Sequence, residues 1–177
     1  AIRAAQLGVP VVLFEQAAHL GGDALVSEGW TLGAGTLMQK AAGEEDSGEQ
    51  CWQDLLDNIN AESKQWWDEE LCRNFILNSG RTVDWLDRYV GARFNNREIT
   101  NGTYGGGKGF AHRIHFLNGG LNLIKPMVNK INEGIRDGLI TVMYQTEVTD
   151  LLTDGNGAVC GVKAVDASGA TAEYPFD

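Results

Sequence analysis

Ala4-Ala5-Gln6-Leu7-Gly8-Val9-Pro10-Val11-Val12-Leu13-Phe14-Glu15-Gln16 is the stretch on which the fold turns. Ile2, Ala4, Ala5 and Leu7 read as the tail of a helix, with Gly8 as its stop. Val9 to Phe14 is an unbroken apolar run, the pattern of a strand buried on both faces of a parallel sheet, and it closes on Glu15. Helix, glycine and strand in this order make half of a βαβ unit. A Rossmann dinucleotide site places an acidic residue about 20 positions after a glycine-rich turn, where its carboxylate holds ribose hydroxyls. Glu15 stands where that acid belongs, and counting back runs past Ala1. The first strand and the phosphate-binding turn are therefore expected upstream of this chain. On spacing alone, Glu15 is either the ribose ligand or simply a charge at a strand end.

Working outward, the 177 residues are 43% hydrophobic and 21% charged, enough apolar material for one sizeable core. A formal net charge of -10 argues against a nucleic-acid or anionic-membrane surface, because those partners require clustered Lys and Arg. Apolar runs such as 9–14 fall far short of the roughly 20 residues that span a bilayer. Cys51, Cys72 and Cys160 lack the spacing of a zinc site or disulfide framework and read as core or incidental thiols. An uncapped apolar start and an end inside a strand-like segment, 172–177, lead us to expect a fragment of one domain. The compartment is left open.

Residues 17–43 carry Gly21-Gly22, Gly29, Gly33-Ala34-Gly35 and Gly43 without a clear helical or strand period. Small residues at this density mean that main chain comes close to something, either other main chain or a ligand. Ser47 followed by Gln50 resembles a capping box and predicts a helix over 48–60, with Leu55, Leu56 and Ile59 inward. Leu71, Phe75, Ser79, Val83, Leu86 and Val90 predict a second helical run interrupted at Gly80, and the tryptophans 52, 66, 67 and 85 read as packing. A glycine-rich loop is expected over 101–109 and a helix over 122–138, in which Pro126 is tolerable only in the first turn. Segments 139–144, 147–152, 159–165 and 170–174 read as strands, the last three as an antiparallel meander.

Beyond the opening stretch, His19-Leu20-Gly21-Gly22, Ser27-Glu28-Gly29, Gly35-Thr36, Asp46-Ser47 with Glu49, Val83-Asp84-Trp85-Leu86, His112-Arg113 before Gly119-Gly120, and Val148-Thr149-Asp150-Leu151-Leu152 follow in order. This series resembles the FAD-binding domain of the fumarate reductase and succinate dehydrogenase flavoprotein family, which includes soluble fumarate reductases and ketosteroid dehydrogenases. The resemblance covers nearly the whole chain. It implies an α/β fold, a partial Rossmann-like FAD-binding domain over 1–177 with a helical insertion and a small antiparallel β-meander. It also implies that the capping domain and catalytic groups lie downstream, so this chain carries no catalytic residue and would not turn over alone.

Residue by residue, the resemblance implies that Glu15 binds the adenosine ribose with Gln16 beside it, and that Gly21 and Gly22 admit the diphosphate. Asp23, Ala24, Glu28 and Gly29 would line the path to the flavin ring, and Val148 would contact adenine through its main chain. Asp23 stands where succinate dehydrogenases carry a flavin-linked His, so FAD would be held non-covalently. His112-Arg113 would either shape the loop before a helix or pair with an anion. The implied activity is hydride transfer to or from a carbon-carbon bond next to a carbonyl or carboxylate. A ketosteroid dehydrogenase, an amino-acid oxidase, or a non-catalytic Rossmann-like nucleotide-binding module are the alternatives. A small-molecule substrate and an electron-donor protein or domain are the partners implied.

Overall fold

The computed structural model describes residues 1–95, 99–100 and 112–176. In chain order the elements are α1 (Ile2–Gln6), β1 (Val11–Glu15), a 3-10 turn (Gly22–Val26), β2 (Trp30–Leu32), α2 (Leu37–Ala41), α3 (Gly48–Asn58), α4 (Ala61–Lys64) and α5 (Glu69–Trp85), which runs into a π-helical turn (Leu86–Val90). They continue with β3 (Ile99–Thr100), β4 (Ile114–Phe116), α6 (Leu121–Arg136), β5 (Ile140–Tyr144), β6 (Thr146–Thr153), β7 (Val159–Asp166) and β8 (Thr171–Pro175). The chain divides into two compact units, one made of residues 1–22 with 128–177 and the other of 23–127.

In the first unit, β1 and β5 pair in parallel, Val11 opposite Ile140 through Glu15 opposite Tyr144. Both strands are entered through the same helix ending. Gly8 (φ 78°) and Gly138 (φ 72°) are left-handed. Val9 N–H bonds Ala4 C=O at 3.0 Å while Gly8 N–H bonds Ala5 C=O at 2.9 Å, and Leu139 and Gly138 repeat the pair on Gly134 and Ile135 at 2.9 and 3.1 Å. This double closure satisfies the last helical carbonyls and turns the chain straight into a strand. The expected strand over 9–14 therefore starts two residues later, because Val9 and Pro10 belong to the joint. The meander β6-β7-β8 is antiparallel as expected, with a bulge between Val148 and Asp150. Its two turns share one chemistry. Asp154 Oδ1 accepts the N–H groups of Asn156 and Ala158, and Asp166 Oδ1 those of Ser168 and Ala170. A left-handed Gly157 or Gly169 completes each turn.

In the second unit, β2, β4 and β3 form an antiparallel sheet in the order β2-β4-β3. One core gathers Met38, Val83, Ala92, Phe94 and Leu117, and another Ala34, Cys51, Trp52 and Ile76. Trp52 and Trp67 stack with ring centroids 5.6 Å apart, whereas Trp66 is 83% exposed and does not join the packing expected of it. On α3 the inward side is Cys51, Trp52 and Asp54, with Leu55, Leu56 and Ile59 only half-buried, which rotates the expected inward face. Ser47 accepts Gln50 N–H as predicted, but the reciprocal capping box sits at α2, between Thr36 and Gln39.

Two expectations about α5 and α6 are corrected. Gly80 does not interrupt α5, and a Cβ there would lie 2.0 Å from the Ala34 carbonyl oxygen, so glycine is what lets the helix meet that loop. Leu71 and Phe75, on the same helical run, are exposed at 65% and 62%. Pro126 lies inside α6, beyond its first turn. The carbonyl that its absent N–H would have engaged, Asn122 C=O, accepts Arg93 N–H at 3.3 Å instead. The glycine-rich loop expected over 101–109 lies outside the described residues.

Candidate functional site

In the first unit, Glu15 is the last residue of β1, at the carboxyl end of a parallel strand pair, where α/β sheets present their ligand crevice. Its side chain is not idle. Glu15 Oε1 accepts the Ala17 N–H at 2.7 Å, a hook that orients the carboxylate at the strand tip. Gln16 follows it, exposed. Ala17 C=O in turn accepts Gln145 N–H at 3.0 Å, from the corner between β5 and β6. Val148, 40% exposed on β6 and opposite Ala164 on β7, belongs to the same unit. Gly21 (φ 132°) and Gly22 (φ 50°) hold conformations that side-chain-bearing residues rarely adopt, and a Cβ on Gly22 meets nothing within 4 Å. Glu15, Gln16, Gly21, Gly22 and Val148 are thus carried by one unit.

Asp23, Ala24, Glu28 and Gly29 are carried by the other. Asp23 and Ala24 lie exposed in the 3-10 turn. The segment after it is laced to the loop before α6 by three main-chain bonds: Gly120 N–H to Ser27 C=O (2.8 Å), Gly119 N–H to Glu28 C=O (2.9 Å) and Leu117 N–H to Gly29 C=O (3.0 Å). Glu28 Oε2 accepts the Trp30 indole N–H at 2.8 Å. Gly29 is buried and left-handed, and its Cβ would stand 2.9 Å from Leu117 Cβ. A Cβ on Gly120 would stand 1.6 Å from the Ala24 carbonyl oxygen. The glycines of this region therefore answer two demands that sequence could not separate. Gly29 makes room for neighbouring chain, whereas Gly22 opens onto free space.

His112 and Arg113, for which anion pairing and loop shaping were both open, are engaged by the protein's own carboxylates. Arg113 is buried, bonding Asp46 through Nε (2.8 Å) and Nη2 (2.7 Å), and its Nη2 also lies 2.6 Å from Asp54 Oδ2. Gln39 ties Asp46 Oδ2 (2.9 Å) to the His112 carbonyl (2.8 Å), and Gln50 donates to Asp54. Burial opposes the Arg113 charge, but the hydrogen bonds to Asp46 and Asp54 outweigh it and hold the guanidinium ionised well above its ordinary range. His112 Nδ1 meets Glu44 at 2.5 Å. Burial pushes the neighbouring Cys51 thiol up to about 11, against the attraction of Arg113. His115, also buried, sets Nε2 3.1 Å from Gly33 C=O and is pushed below the ordinary histidine value by burial. Sequence reasoning missed Asp46, Asp54 and Gln39 as partners, since no spacing links residues so far apart to Arg113.

Among the described residues no group of three His, Cys, Asp or Glu side chains could hold a metal ion, and no helix is long and apolar enough to cross a membrane.

A family described as FAD binding domain matches residues 1–174. Urocanate reductase of Eggerthella lenta is 28% identical over 178 aligned positions, covering 98% of this chain and 27% of that protein. Among solved structures, the 3-ketosteroid-delta4-(5alpha)-dehydrogenase from Rhodococcus jostii superposes with a TM-score of 0.74 at 23% identity, covering 99% of this chain and 40% of that one. A flavocytochrome c3 fumarate reductase in its open conformation gives 0.74 at 21% identity, covering 98% and 29%. These superpositions show a partial, Rossmann-like fold shared with flavoenzymes. The chain spans 27% of the length of the urocanate reductase it matches.

Proposed function

The chain belongs to the FAD-binding domain family, and from that premise we propose that its first unit holds the adenosine end of FAD within an oxidoreductase acting on a carbon-carbon bond beside a carbonyl or carboxylate. One observation carries the adenosine assignment. Glu15 ends a parallel strand with one carboxylate oxygen tied to Ala17 N–H, so the carboxylate is fixed in orientation before any ligand arrives. An oriented acceptor at a strand tip suits a pair of vicinal ribose hydroxyls, which must otherwise give up water.

FAD, when bound, supplies the hydride chemistry, and the protein supplies binding, orientation and electrostatics. Glu15 accepts hydrogen bonds from the ribose, with Gln16 alongside. Gly21 and Gly22 allow main chain to approach the diphosphate, and the open space beside Gly22 supports that role. Val148 offers main-chain N–H and C=O to adenine from an exposed position on β6. Asp23, Ala24, Glu28 and Gly29 are assigned to the flavin side, and with a carboxylate at 23 FAD is held without a covalent bond. The relatives' names support this substrate class: urocanate and fumarate are unsaturated carboxylates, and a ketosteroid carries a carbonyl. An electron-donor protein or domain completes the scheme.

The test is the flavin itself. Purified protein supplied with FAD is expected to show a flavin absorbance spectrum and to release intact FAD on acid precipitation. Glu15→Ala is expected to weaken FAD binding by about tenfold or more, the worth of a charge-assisted hydrogen bond. Protein that stays colourless, or E15A with unaltered affinity, overturns the reading.

A further inference from the structure

Gln145 is a non-glycine residue in the left-handed region, at φ 50°. A side chain there crowds the following carbonyl, so such a conformation persists only where the surroundings impose it. The cause lies in the topology. β5 ends at Tyr144 in the parallel pair with β1, and β6 begins at Thr146 in the antiparallel meander, so the chain changes sheet across one residue. Thr146 braces the corner, its buried hydroxyl donating to Tyr144 C=O at 2.9 Å. Within this turn the Gln145 N–H donates to Ala17 C=O at 3.0 Å, and Ala17 N–H donates to Glu15 Oε1 at 2.7 Å. The peptide groups of Ala17 are thus gripped from both sides, by the Glu15 carboxylate and by the Gln145 main chain. The Gln145 side chain itself is exposed.

We propose that Gln145 is a positioning residue for the adenosine site, its left-handed main chain hooking the loop after β1 so that Ala17 can hold the Glu15 carboxylate in its ribose-binding orientation. This rests on the assignment of Glu15 to the ribose. What matters at 145 is a main chain that accepts positive φ and keeps its N–H, and the side chain is incidental. Glycine should therefore serve, while a β-branched residue, which resists this conformation most, should not.

The measurement is equilibrium binding of ADP and of 2′,3′-dideoxy-ADP to flavin-depleted protein, which isolates the ribose hydroxyls. Wild-type protein is expected to prefer ADP by about tenfold or more, and Glu15→Gln to lose most of that preference. Gln145→Gly is expected to keep it. Gln145→Val is expected to reduce it to within about threefold of unity, because a disordered carboxylate no longer pays back the desolvation of the hydroxyls. If Q145V does not fold, Gln145→Thr, also β-branched, carries the same expectation in weaker form. A Q145V or Q145T protein that melts lower yet keeps the full preference makes the corner merely structural and overturns the proposal. So does a Q145G protein that loses the preference, which would put the role in the side chain. A wild-type protein without the preference, or E15Q retaining it, removes the Glu15 assignment and this inference with it, a failure recognisable before any variant at 145 is read.

Discussion

Arg113 and Asp46 are locked together by two parallel hydrogen bonds of 2.8 and 2.7 Å, with 1% and 0% of their side chains exposed. Such a pair is weak evidence for stability as a whole, yet breaking it takes from the buried guanidinium the carboxylate that meets it through two bonds. Asp46→Ala is expected to cost about 3–5 kcal/mol in urea unfolding, even though Asp54 remains beside the guanidinium. A loss below about 1 kcal/mol, the scale of an exposed pair, would show that water reaches this site.

Gly80→Ala sets two rules against each other. Helix propensity alone favours alanine inside α5 by about 1 kcal/mol. The Ala34 carbonyl, 2.0 Å from the added Cβ, is main chain and cannot swing aside. Packing is expected to win, with a net loss of about 1–3 kcal/mol read by thermal or urea unfolding. A stabilised G80A would refute the contact between α5 and the 34–35 loop.

His115 is expected to make the protein acid-sensitive. Burial depresses its folded-state value below the ordinary 6.5, so the unfolded chain binds the proton more readily. The contribution is fully present above the ordinary histidine range and is lost as pH falls through it, with a slope of at most about 1.4 kcal/mol per pH unit. His115→Gln should flatten that part of the stability profile between pH 7 and about 5. An unchanged slope in H115Q would assign the acid sensitivity to other groups.

Cys51 should be the slow thiol. A rise from 9.0 to about 11 lowers its thiolate fraction at neutral pH about a hundredfold, and burial adds a steric barrier. Iodoacetamide followed by peptide mass spectrometry is expected to label the half-buried Cys72 and Cys160 first, and Cys51 only under unfolding conditions. Equal labelling of all three in native protein would contradict the core around Trp52.

The elements most legible in the sequence were those with local rules. Gly8 ended α1 and Gly138 ended α6, because a left-handed residue after a helix leaves a compositional mark. The β6-β7-β8 turns announced themselves through Asp and Gly. The sheet of β2, β3 and β4 was not legible, since strands of two or three residues are too short to show a period. The glycine-rich stretch was recognised as close approach, but whether neighbouring chain or open space faced each glycine depended on Leu117 and Ala24, which only the fold identifies. The same holds for Arg113. Its sequence neighbours say nothing of Asp46 and Asp54. For the candidate site, Glu15 could be placed at a strand end from the apolar run before it, whereas its hook on Ala17 and the strained Gln145 required three dimensions.

The lacing of residues 27–29 onto 117–120 uses main-chain groups on both sides. A fastening that reads no side chain is blind to most substitutions. An exposed neighbour such as Val26 can therefore drift, and with it the polarity presented to whatever lies nearby, while the strap keeps its shape. Gly29 and Gly120 are the rivets, and they are where variation across this segment should stop.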